Sequence, residues 1–266
     1  MKYETRVVVY IDILGFKNLI GETINTNGAD NQQKICLVEA ALSIAYTTMD
    51  MNSEGSSAQV TQFSDLIVIS FLTSETSGVY YAISNIQFLL VELALLGIFC
   101  RGGIALGKLM HTDRILFGPA LVDAHILESN VAHYPRIVLD ESIIKIAGLH
   151  SAPANTYEDE IEYVKRHLGR DSDGLYYVDY FLSVLSNFND PELDALGYFT
   201  KLRDSIAEVL KSPKTDIRAK FLWLREKYNA SIAKIHNPDF LNALCSDPEI
   251  RSDYLNLKEI QSPPDK

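Results

Sequence analysis

The sequence predicts an α+β fold, and three observations predict it. A buried-strand run, "RVVVYID" at 6–12, is followed by helical periodicity rather than by a second strand. The stretch "SSAQVTQFSDLIVISFL" at 56–72 reads as two strands joined by a tight turn at Ser64-Asp65, the second rich in β-branched residues. Two adjacent strands forming a hairpin break the regular strand–helix alternation of a parallel α/β sheet.

The elements follow in order. Residues 34–49 place Ile35, Val38, Ala41, Leu42 and Ala45 on one face of a helix. After Thr76 a long apolar helix runs to Leu96, where Gly97 can end it. "IFCRGGIALGKLM" is a further strand, with Gly102 and Gly103 allowing another backbone to approach closely. Pro119 suits the first turn of a helix in "FGPALVDAHILES", and "RIVLD" is one more strand. From about residue 150 the texture changes: "EDEIEYVKRHLG" is a charged helix, "GLYYVDYF" a short strand, and 190–260 helices interrupted at Pro191, Pro213, Pro238 and Pro248. The expected division is a core of residues 1–148 and a mainly helical extension of 149–266 packed on it.

A chain of 266 residues with 47% hydrophobic content can bury a large core. Its net charge of −11 argues against an extended nucleic-acid or anionic-membrane surface, since both need a positive field. Three widely spaced cysteines, Cys36, Cys100 and Cys245, indicate neither a disulfide framework nor a zinc site. The first residues lack the apolar core of a signal peptide and the longest apolar run carries Glu92, so a soluble, cytoplasmic protein is expected.

The candidate chemistry is acidic. Asp12 closes the first strand and Asp65 sits at the hairpin; if the two strands are neighbours, both carboxylates project from one edge of the sheet. Alone they would repel, whereas with divalent cations they become oxygen ligands able to receive a nucleoside triphosphate. Ile13, Leu14, Gly15 and Phe16, in the turn after Asp12, offer amides at a helix start for phosphate oxygens. The competing reading makes each aspartate a turn residue or a helix cap.

"YIDILGFKNLI", "QFSDLIVISF", "RGGIALGKLMHTDRILFGPALVDAHILE" and "YPRIVLD" resemble the catalytic core of class III nucleotidyl cyclases, and more closely the bacterial Pycsar pyrimidine cyclases. The likeness spans roughly residues 5–145. It implies a ferredoxin-like βαββαβ cyclase core and a homodimer whose head-to-tail chains complete two composite sites. It also implies two Mg²⁺ or Mn²⁺ ions per site on Asp12, Asp65 and the Ile13 carbonyl. A 3′-hydroxyl would attack its own α-phosphate with loss of pyrophosphate. The product of such cyclases is a second messenger of antiphage defence, read by a separate effector.

The departures are specific. The Asn and Arg that class III members carry on the helix after the glycine turn correspond to Val122 and Ile126 here. The Lys and Asp with which purine-selecting members read the base correspond to Thr61 and Ile115. Without them the resemblance favours UTP, giving cyclic UMP, with CTP and cyclic CMP second. An adenylate or guanylate cyclase and a non-catalytic nucleotide sensor remain open. Positive charge for the triphosphate is expected from Arg101, assigned a catalytic part, and Arg136; Lys17 and Lys220 read as solvated.

Overall fold

Antiparallel pairing organises the first half of the chain. In the computed structural model, which describes residues 2–50 and 56–261, β1 (Glu4–Ile13) is flanked by β3 (Leu66–Leu72) and β4 (Cys100–His111), and β3 by β2 (Gln59–Phe63). The sheet order is β2-β3-β1-β4, then β6 (Ile137–Leu139), β8 (Tyr176–Val178) and β7 (Leu168–Arg170), with the short β5 (Leu116–Phe117) paired to β4. The first four strands, with the helices between them, give the expected ferredoxin-like order.

Alternation sorts each strand into two faces. Val7, Val9 and Ile11 are buried on the side covered by α3 (Gly78–Leu95), together with Ile67, Ile69 and Phe71. Val8, Val68, Ala105 and Leu109 pack on the other side with Ala120 and Ala124 of α4 (Pro119–Asn130). Two glycines make that helix contact possible. A Cβ on Gly103 would lie 2.4 Å from Leu127 Cβ and 2.6 Å from the Ala124 carbonyl oxygen, and one on Gly107 would lie 3.3 Å from Ala120 Cβ. Small residues on both surfaces thus let α4 ride low on β4.

The remaining elements of this half are α1 (Phe16–Gly21), α2 (Gln32–Asp50), α5 (Glu141–Leu149) and α6 (Tyr157–Arg166). Helix α3 is long and apolar enough to cross a membrane, and 67% of it is buried within the protein, which accounts for its composition. Gly97, just past its end, has φ +75°, the left-handed conformation expected of a terminating glycine.

The chain divides into two compact units, Met1–Val178 and Asp179–Lys266. The division falls thirty residues beyond the expected one, because β7 and β8 add to the sheet through β6. The second unit holds α7 (Pro191–Leu210), α8 (Thr215–Ile235), α9 (Pro238–Leu244) and α10 (Pro248–Asn256). Three of the four prolines read as interruptions sit in a first helical turn, where the missing amide costs no hydrogen bond. Asp190, Asn237 and Asp247 cap those same helices through side-chain oxygens.

Candidate active site

Register brings the two candidate acids together. Asp12 lies opposite Leu66 on one side and Arg101 on the other, and the Ile13 amide donates to the Asp65 carbonyl at 3.0 Å. Asp65 therefore adjoins the end of β1. The turn that carries it has only Ser64 and Asp65 between paired Phe63 and Leu66, and Ser64 adopts φ 59° to close it. Both acids are partly exposed.

Asp12 has an immediate partner. Arg101 donates from Nε to Asp12 Oδ2 at 3.1 Å, and its Nη2 lies 2.7 Å from Glu128 Oε1. The three side chains differ in exposure, at 27% for Asp12, 25% for Arg101 and 5% for Glu128. Glu128 was not among the expected site residues. A glutamate within a helix ordinarily reads as surface. Its spacing from Ala120 and Ala124 was nonetheless a usable signal, since steps of four keep it on the face that meets the sheet.

Tyr10 stands on the same face of β1, two residues before Asp12, with its ring edge-on to His125 of α4 at 5.0 Å. Burial raises its hydroxyl pKa, and the carboxylates of Glu128, Asp12 and Asp65 raise it further. Burial likewise pushes the Cys100 thiol up, with Asp12 adding to the effect, so Cys100 is no nucleophile here.

The turn after Asp12 supplies fewer amides than expected. The Ile13 amide is bonded to Asp65 and the Leu14 amide to the Phe99 carbonyl at 2.9 Å, which narrows any phosphate contact to Gly15 and Phe16. Gly15 has φ +76° and caps α1. Lys17 is exposed on α1, and Lys220 belongs to α8 of the second unit.

Arg136 is elsewhere engaged, against the expectation that it serves a triphosphate. Its guanidinium is 1% exposed, bonds Asp171 Oδ2 at 2.6 Å from Nη1, reaches Asp173 from Nη2, and lies over the Tyr134 ring. It ties β6 to the β7–β8 turn. Its carbonyl also accepts from the Gly102 amide at 3.0 Å, so the clasp braces β4 next to Arg101.

The donor atoms suit a hard divalent cation. Carboxylate and carbonyl oxygens are the ligands that Mg²⁺ and Mn²⁺ prefer. Among the described residues no group of three or more His, Cys, Asp or Glu side chains is arranged to hold a metal. Such an ion would keep waters and take further oxygens from a phosphate, the usual mode for Mg²⁺.

Solved structures similar to this chain include the adenylyl cyclase CyaB from Pseudomonas aeruginosa, at 15% identity over 67% of this chain and 95% of that one, with a TM-score of 0.47. A class III adenylyl cyclase-like ATP-binding protein from Pseudomonas aeruginosa gives 12% identity, coverage of 92% and 73%, and a TM-score of 0.40. A bacterial light-regulated adenylyl cyclase gives 21%, 55% and 80%, and 0.39. No protein-family model and no curated protein matches the sequence. The strand order β2-β3-β1-β4 itself defines the fold.

The positions of the departures are also defined. Val122 and Ile126 are 56% and 45% exposed on α4. Thr61 is hydrogen-bonded through Oγ1 to His111 Nε2 at 2.9 Å, and His111 Nδ1 pairs with Ser70 Oγ at 2.8 Å. Arg6 Nε donates to the same Ser70 hydroxyl at 2.8 Å, which completes a polar chain across β1, β2, β3 and β4.

Proposed function

We propose that this chain is a metal-dependent nucleotide cyclase of the class III kind. The observation that carries the proposal is the placement of Asp12 near the end of β1 beside the β2–β3 turn that holds Asp65, at one end of a ferredoxin-like sheet, joined by the Ile13–Asp65 backbone bond. In this reading Asp12, Asp65 and the Ile13 carbonyl hold two Mg²⁺ or Mn²⁺ ions. When bound, the ions lower the pKa of the attacking 3′-hydroxyl and neutralise the triphosphate. The hydroxyl loses its proton to solvent as its oxygen forms a bond to the α-phosphorus, the bond from that phosphorus to the bridging oxygen breaks, and pyrophosphate leaves.

The protein's own part is positioning and charge. Gly15 and Phe16 offer amides to phosphate oxygens, and Arg101 offers a guanidinium at the same strand end. With Val122 and Ile126 apolar, α4 brings no Asn or Arg to the ribose, so the burden of stabilising developing charge falls on the ions and Arg101.

UTP is the favoured substrate. The position at which purine-selecting cyclases carry a lysine is Thr61, whose hydroxyl is bound to His111, and the aspartate position is Ile115, 37% exposed and without hydrogen-bonding groups. Neither reads a purine in the usual way. The exposed Val122, Ile126 and Phe117 support a homodimer with composite sites, in which a second copy covers this face. The proposed role is production of a cyclic pyrimidine messenger in the cytoplasm, acting in antiphage defence on a separate effector.

The apolar Val122 and Ile126 also favour a second reading, a nucleotide-binding sensor that does not turn over. Incubation with each of the four nucleoside triphosphates and Mn²⁺, followed by chromatography, separates the two. Cyclic UMP with pyrophosphate supports the first; saturable binding without pyrophosphate supports the second; dominant cyclic AMP or cyclic GMP removes the pyrimidine assignment.

A further inference from the structure

Arg101 is held from both sides by acids of unequal character. The Glu128 contact is the shorter, 2.7 Å against 3.1 Å, and its carboxylate is 5% exposed against 27% for Asp12. A charge pair removed from water is screened less and is costlier to break than one at the surface. Glu128 is itself fixed, because Gly103 lets the Ala124–Glu128 turn of α4 settle onto β4; a Cβ there would come 3.1 Å from the Glu128 amide nitrogen. The Asp12 contact is the one able to give way.

We infer that Glu128 is a positioning residue for Arg101: it retains the guanidinium through Nη2 while the Nε edge alternates between Asp12 and an incoming anionic group. The inference rests on the metal-binding reading of Asp12. At rest, Arg101 serves as the counter-ion of Asp12 and competes with a divalent cation for Oδ2. With a cation on Asp12, like-charge repulsion would favour release of the Nε edge of Arg101 from that carboxylate. Glu128 keeps the cation of Arg101 from leaving the site and leaves its freed edge available to a phosphate oxygen. A single buried glutamate thereby couples metal occupancy to the presentation of positive charge.

The consequence is a pair of opposite effects on a simple ion. Mn²⁺ binding, measured by the paramagnetic signal of the free ion without nucleotide, is compared in wild type, Arg101→Gln, Glu128→Gln, Glu128→Asp, the double variant Arg101→Gln/Glu128→Gln, and Asp12→Asn. Arg101→Gln is expected to tighten Mn²⁺ binding about three- to tenfold, the range for losing one partly exposed competing charge. Glu128→Gln is expected to weaken it, because Arg101 then falls entirely to Asp12, and Glu128→Asp should recover most of the loss.

The double variant should behave as Arg101→Gln alone, since Glu128 acts only through Arg101. An effect of Glu128→Gln that persists without Arg101, or no tightening in Arg101→Gln, overturns the inference. If Glu128→Gln does not fold, as judged by circular dichroism, Arg101→Gln and Glu128→Asp still decide it. Retention of wild-type Mn²⁺ affinity in Asp12→Asn instead refutes the metal reading. An absence of binding in every protein refutes both.

Discussion

The Ile13 amide donates to the Asp65 carbonyl across 3.0 Å, so the residue after one candidate acid is bonded to the other through the backbone. That bond does not use the Asp65 side chain. Asp12→Ala and Asp65→Ala should therefore keep the hairpin and the sheet while losing metal ligands. Turnover is expected to fall about a thousandfold or more, as for loss of several kcal/mol of transition-state stabilisation. Kinetics with circular dichroism checks this; an Asp65→Ala protein that unfolds would make Asp65 a turn residue instead.

Gly103 sets the depth at which α4 sits. The methyl of Gly103→Ala would meet Leu127 Cβ at 2.4 Å, and neither the helix nor the strand backbone can yield without moving Glu128. Overpacking of this kind costs about 1–3 kcal/mol. A lowered melting temperature and reduced turnover in the folded fraction are expected. An unchanged melting temperature would mean that α4 is free to lift.

Arg136 is buried with two carboxylates rather than aimed at a ligand. Arg136→Met strands Asp171 without its cation, which for a broken buried pair costs about 3–5 kcal/mol. Denaturant unfolding should show the loss, while the KM for nucleotide in the folded protein stays within error of wild type. A selective rise in KM without destabilisation would return Arg136 to the triphosphate.

His111 gives a pH signature. Burial, with Arg6 adding repulsion, lowers its pKa from 6.5 to about 4. Between those values the unfolded chain binds a proton that the folded one refuses, so stability falls as pH drops from 6.5 towards 4. Below about 4 this contribution levels off. Unfolding free energies of His111→Gln should vary less with pH across that window than those of wild type; an identical slope would locate the acid sensitivity elsewhere.

Much of this arrangement was readable in the residues. The run ending at Asp12 and the Ser64-Asp65 turn carry strong local signals, one by continuous apolarity and the other by turn chemistry, and both elements form where expected. Gly102 and Gly103 announced a close approach, though not to what. The partners of the arginines were hidden because they depend on contacts 27 to 89 residues apart in sequence, as Arg101–Glu128 and Arg101–Asp12 are. β7 was missed for a different reason: "LGR" has no periodicity of its own and forms a strand only because β8 offers it an edge. β5 is likewise a two-residue strand set by β4.

The most direct test of the central claim is product analysis with purified protein, Mn²⁺ and each nucleoside triphosphate, alongside Asp12→Ala. The account predicts pyrophosphate and cyclic UMP from UTP in wild type and neither in the variant. Failure of the wild-type protein to cyclise any of the four nucleotides, or equal product from Asp12→Ala, would contradict it.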